Sequence, residues 1–158
     1  MTAEADLDVA LAGAERALID SSTFIAYLNP HEGAHPLARH VLDRIQSAQD
    51  PLRGWYSVMS ALELLVRPLR VGGQEFTFVH EFLAAFPNLT ILQMDLTVAL
   101  QAANIRALTN IRTPDAVIIA SGILAGCDAM ICNDQQWGVS MSRLFPRFRW
   151  IYLGRYIL

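Results

Sequence analysis

Four acidic residues, Asp20, Glu63, Asp115 and Asp134, occupy contexts that end a strand or build a helix on one side of an α/β sheet. Asp20 closes the apolar run Ala17-Leu18-Ile19 and precedes Ser21-Ser22-Thr23, while Asp134 follows Ala129-Met130-Ile131-Cys132-Asn133. Both are predicted at strand carboxyl ends, where open α/β sheets hold ligands. Asp115 lies in Thr113-Pro114-Asp115, in which Thr caps a helix, Pro takes the first helical position and Asp faces the positive end of the dipole. Glu63 is the acid in the apolar helical stretch Ser60-Ala61-Leu62-Glu63-Leu64-Leu65. Carboxylates converging from four segments repel and raise one another's pKa unless a cation sits among them. Oxygen-only ligation selects Mg²⁺ or Mn²⁺ over zinc. Ser22, two residues after Asp20, is placed to orient water beside such an ion.

Each motif alone has a plainer reading. Asp20 and the Thr113-Pro114-Asp115 run are good helix starts, Asn133-Asp134 favours a turn, and Glu63 has Arg67 four residues on as an ion-pair partner.

The elements that must position these acids alternate along the chain. Strands are predicted at 16–20, 52–57, 89–94, 129–132 and 149–153. Helices are predicted at 23–28, 35–49, 60–71, 74–86, 95–108 and 114–126, with Pro68 expected to distort or end the third. Strands separated by helices imply an α/β domain with a mostly parallel sheet and helices on both faces. No repeat or Gly/Ser linker interrupts it, so one domain spans 16–158. Residues 1–15 read as a flexible acidic extension.

Composition narrows the class. A 53% hydrophobic content and mean hydropathy of +0.31 exceed the usual globular share, so some apolar surface is expected to meet a partner. The longest uncharged apolar stretch, 117–127, is too short to span a bilayer, and Glu4, Asp6 and Asp8 stand where a signal peptide carries positive charge. These features suggest a soluble cytoplasmic protein with two reduced, buried thiols, Cys127 and Cys132. The net charge of −3 argues against a polyanionic substrate until the charges are placed. Residues 1–16 hold four of the fifteen acids and one of the twelve arginines, leaving eleven of each. Setting aside the four candidate ligands leaves the remainder at +4. Arg112, Arg143 and Arg147 are candidates to rim the acids and meet a phosphodiester. His31 and His35 share an i,i+4 spacing, but Pro30, Gly33 and Pro36 argue against one zinc-binding helix. Trp55, Trp137 and Trp150 read as core or interface aromatics.

Taken in order, Leu18-Ile19-Asp20-Ser21-Ser22, Glu63-Leu64, Arg112-Thr113-Pro114-Asp115-Ala116 and Asn133-Asp134 followed by an aromatic resemble the PIN-domain family, most of all VapC-type toxins of toxin–antitoxin pairs. The similarity runs from about Ala17 to the carboxyl end. It implies a three-layer PIN-like fold and a Mg²⁺-dependent (or Mn²⁺-dependent) ribonuclease, the toxin of a type II pair. Asp20, Glu63, Asp115 and Asp134 match the family's metal ligands and Ser22 its polar neighbour. An RNA substrate, a cognate antitoxin and a homodimer are implied with them. A groove for the antitoxin is expected from Leu62, Leu65, Val66 and Leu69 with Phe24, Tyr27 and Leu28. One departure is Cys132, where many relatives carry Thr or Ser before the Asn-Asp pair.

Receiver domains and haloacid-dehalogenase phosphatases also gather acids at a sheet end. Both lean on a Lys, and this chain has none. The remaining alternative is a catalytically inactive PIN-fold module that binds RNA or protein.

Overall fold

The computed structural model describes residues 2–134 and 137–157. Five strands, β1 (Arg16–Ile19), β2 (Arg53–Ser57), β3 (Leu89–Leu92), β4 (Ala129–Cys132) and β5 (Arg149–Tyr152), form one sheet in the order β3-β2-β1-β4-β5. Every pairing is parallel. The chain lays down β1, β2 and β3 in one direction, then returns to place β4 on the other side of β1. That reversal opens a crevice at the carboxyl ends of β1 and β4.

Helices cover both faces. Alternate residues of the central strands point to opposite sides, as strand geometry requires. Ala17, Ile19, Ala129 and Ile131 join the core under α1 (Ala3–Leu11), α2 (Ser21–Leu28), α3 (His35–Gln46), α4 (Val58–Val71) and α5 (Gly73–Ala85). Leu18, Met130 and Cys132 join the core under α6 (Leu96–Thr109), α7 (Thr113–Leu124) and α8 (Gly138–Leu144). A short 3-10 turn, Leu153–Arg155, follows β5. Gly122 brings α7 hard against the sheet, since a Cβ there would lie 2.5 Å from Leu18 Cδ2. No helix among the described residues is long and apolar enough to cross a membrane.

Three expectations change. Residues 1–15 contain a helix, α1, capped by Thr2 and fixed by fully buried Leu7 and Leu11. Asp8 accepts hydrogen bonds from both His40 Nε2 and Arg44 Nη1 at 2.8 Å, tying α1 to α3. Pro68 does not end α4, because it falls in the last turn; the helix stops at Gly72, whose φ of 76° lies in the left-handed region that glycine favours. α8 was not foreseen. It is seven residues long and lacks a capping side chain, so it carries little local signal.

Candidate active site

Asp20 begins the crevice. Its N–H donates to Ile131 O at 3.0 Å, which ties the end of β1 to β4, and Thr23 Oγ1 donates to the same carbonyl at 2.9 Å. The Asp20 carboxylate caps α2 by accepting the Ser22 N–H at 3.0 Å. The cap reading therefore holds for this side chain. Ser22 Oγ donates to Asp20 Oδ2 and accepts the N–H of Asn133 at 2.9 Å, so one hydroxyl spans from the first acid to the loop carrying the fourth.

Glu63 projects from α4, which packs against both α2 and α7. Its Oε2 accepts from Ser21 Oγ at 2.6 Å rather than from Arg67, which pairs with Glu75 at 3.4 Å. Ser21 was missed in the sequence. A turn of about 100° per residue sends Ser21 toward α4 and Ser22 toward β4, so adjacent serines serve different acids.

Asp115 sits in the first turn of α7, 3% exposed. The expected Thr113 cap is absent; Arg112 holds the N-cap position without a capping side chain, and Thr113 and Pro114 open the helix. Arg112 instead reaches forward to Asp115, Nε to Oδ2 at 2.9 Å and Nη2 to Oδ1 at 3.2 Å. Asp134 follows β4, and the Cys132 thiol donates to its backbone carbonyl at 3.1 Å. The rest of that motif, Gln135 and Gln136, lies outside the described residues.

The electrostatics link all four acids. Burial raises the Asp20 carboxyl above its usual value, hydrogen bonds from Ser22 oppose the rise, and the charge of Glu63 adds to it. The hydrogen-bonded carboxylate of Asp115 raises the Arg112 guanidinium, with Glu63 and Asp134 contributing. Burial pushes the Cys132 thiol up to about 12, and the charge of Asp20 adds to that. This inert thiol makes a poor substitute for a hydroxyl at the site.

The donor set is hard oxygen throughout, which suits Mg²⁺ or Mn²⁺ in chemistry. Among the described residues, no group of three His, Cys, Asp or Glu side chains is arranged to hold a metal ion. Asp115 is engaged by Arg112 and Glu63 by Ser21, so neither carboxylate is presented bare.

The arginines separate. Arg112 stands among the acids, 68% of its side chain exposed. Arg143 lines a cavity beside Asp134. Arg147 lines a different cavity with Cys127 and Asp128, which precede β4, and so lies at the opposite end of the sheet. It does not rim the acids, because the loop after α8 that carries it returns to the amino end of the sheet to enter β5.

A parallel sheet with a central reversal, one buried acid (Asp20) at the end of β1 and another (Asp115) in the first turn of α7 defines an α/β protein with polar groups at its switch point. The PIN-domain model matches residues 17–138, and the chain belongs to that family. No curated protein sequence matches it. Its fold is similar to a toxin–antitoxin complex from Klebsiella pneumoniae, at 18% identity and TM-score 0.61 over 78% of this chain and 92% of the other. It is also similar to VapC20 of Mycobacterium tuberculosis, a sarcin–ricin-loop-cleaving toxin, at 15% identity and TM-score 0.61 over 80% and 94%. FitAcB from Neisseria gonorrhoeae matches at 15% identity and TM-score 0.62 over 87% and 98%.

Proposed function

We propose that this chain is a divalent-metal-dependent ribonuclease and the toxin of a toxin–antitoxin pair. The observation that supports this reading best is Asp20, buried at the carboxyl end of β1 with the charge of Glu63 acting on it, and Arg112, on which Asp115, Glu63 and Asp134 all act, in a member of the PIN-domain family. Asp20, Glu63, Asp115 and Asp134 would hold Mg²⁺ or Mn²⁺. A cation bound there supplies charge neutralisation at the phosphate and acidifies water for in-line attack. Ser22 fixes the Asp20 carboxylate, Ser21 fixes Glu63, and Arg112 releases Asp115 and turns its fork to a phosphate oxygen. No protein nucleophile is needed.

The antitoxin would cover the groove between α2, α4 and α5, a cavity of about 570 Å³ that reaches Glu63 and is lined by Ile25, Pro68 and Phe78. Leu62, Val66 and Leu69 of the expected set are exposed on α4, whereas Phe24 is fully buried core and Tyr27, Leu28 and Leu65 pack against that core. None of Leu62, Val66 and Leu69 lines that cavity; they form a separate exposed apolar stripe on α4 that suits the apolar face of an amphipathic segment.

Purified protein incubated with structured RNA pools tests the activity. Cleavage is expected with Mg²⁺ or Mn²⁺, and it should stop with EDTA and with Asp20→Asn. Undiminished cleavage in excess chelator would overturn the metal mechanism, and an inert wild type that still binds RNA would favour a non-catalytic module.

A further inference from the structure

A cavity of about 810 Å³ lies between α8 and the carboxyl end of β5, with Asp134 on its wall. Trp150 and Tyr152 are two residues apart on β5 and so face the same side of the sheet, and both line it. Tyr152 is seated by Gly154: a Cβ there would lie 2.2 Å from the phenol Oη, so only glycine leaves room for the ring. Trp137, 4% exposed, forms part of the wall. The indole nitrogens of Trp137 and Trp150 are buried without a hydrogen-bond acceptor among the described residues. They are closed off from solvent, so the rings line the cavity without these donors reaching it. Arg143 and Arg155 complete the wall, and neither makes an ion pair among the described residues.

Aromatic side chains and two guanidinium groups suit a flat ring that carries a phosphate. We propose that this cavity receives one unstacked nucleobase of the substrate RNA, next to the phosphate presented to the acids. The inference rests on the ribonuclease reading and deepens it. Tyr152 supplies the stacking face, and Arg143 and Arg155 take the flanking phosphate. Stacking accepts any base, so the pocket is not expected to choose strongly among them.

Titration of metal-free protein with the four nucleoside 5′-monophosphates, read by tryptophan emission, tests this without turnover. Saturable quenching is expected with all four. Tyr152→Leu should weaken the best nucleotide roughly tenfold, as loss of one stacked base does, whereas Tyr152→Phe keeps the ring and the affinity. Absence of saturable quenching, or unchanged affinity in Tyr152→Leu, would overturn the pocket. Cleavage of a random single-stranded RNA library with Mg²⁺ separates the two ideas. Cleavage without nucleotide binding sinks the pocket alone, and nucleotide binding without cleavage sinks the nuclease reading alone.

Discussion

Arg112 grips Asp115 with two hydrogen bonds three residues apart in sequence, so the acid best placed at a helix amino terminus already has a cation of its own. A divalent ion must compete with that fork for the same oxygens. Arg112→Ala is therefore expected to bind Mn²⁺ a few-fold more tightly than wild type when RNA is absent, by calorimetry. Arg112→Lys should fall between them, because an ammonium cannot hold the carboxylate bidentately. Equal Mn²⁺ affinity in all three proteins would mean that the ion pair opens at no cost.

Asparagine substitutions should then split the acids. Asp20 is 4% exposed and its carboxyl is raised, chiefly by burial. A raised folded-state value gives stability that is full below the usual 3.8 and lost as pH rises through the folded value. Asp20→Asn should therefore melt higher than wild type in EDTA at neutral pH, by about 2–4 °C per kcal/mol, with the gap closing toward about pH 3. Asp115→Asn should gain nothing, since it loses an ion pair. Melting curves across pH decide it: a gap that widens on acidification has the wrong sign for a raised Asp20.

α1 is part of the fold. Leu7 and Leu11 have no solvent exposure, and Leu→Ala at such a site costs about 2–5 kcal/mol. Urea unfolding of Leu7→Ala should show that loss, while Val9→Ala, at a position 68% exposed, should show little. Equal midpoints for Leu7→Ala and wild type would mean that α1 is not docked.

The two thiols should resist alkylation together. Burial pushes Cys127 and Cys132 up to about 12, so iodoacetamide near pH 8 finds almost no thiolate. Mass spectrometry should find no adducts on the folded protein and two after denaturation. Rapid native labelling of Cys132 would place it in solvent.

Short motifs made the acids legible because Asp-Ser-Ser after an apolar run and Thr-Pro-Asp before one are local patterns, and the parallel sheet followed from strands alternating with helices. What distance decides was not legible. Periodicity put Leu62 and Leu65 on one apolar face, but only packing sends Leu65 toward the core and leaves Leu62 58% exposed. The acidic start hid Leu7 and Leu11, whose burial depends on α3, more than twenty residues on. Tyr152 and Gly154 meant nothing as a sequence pair until the turn after β5 folded one over the other.

Arg143 and Arg147, four residues apart, give the sharpest contrast for RNA binding. Arg143 lies beside Asp134, and Arg147 lies with Asp128 at the far end of β4. Each phosphate contact to a single strand contributes about 0.7 to the slope of log affinity against log salt. Arg143→Ala should lower that slope by about this amount and weaken binding most at low salt, whereas Arg147→Ala should leave both slope and affinity near wild type. Turnover at saturating RNA should fall less than affinity in Arg143→Ala, because in the proposed mechanism the carboxylates carry the chemistry. Filter binding over a salt series measures both. If Arg147→Ala loses as much slope as Arg143→Ala, the RNA wraps to the amino ends of the strands. If neither changes, it does not cross the α8 side at all.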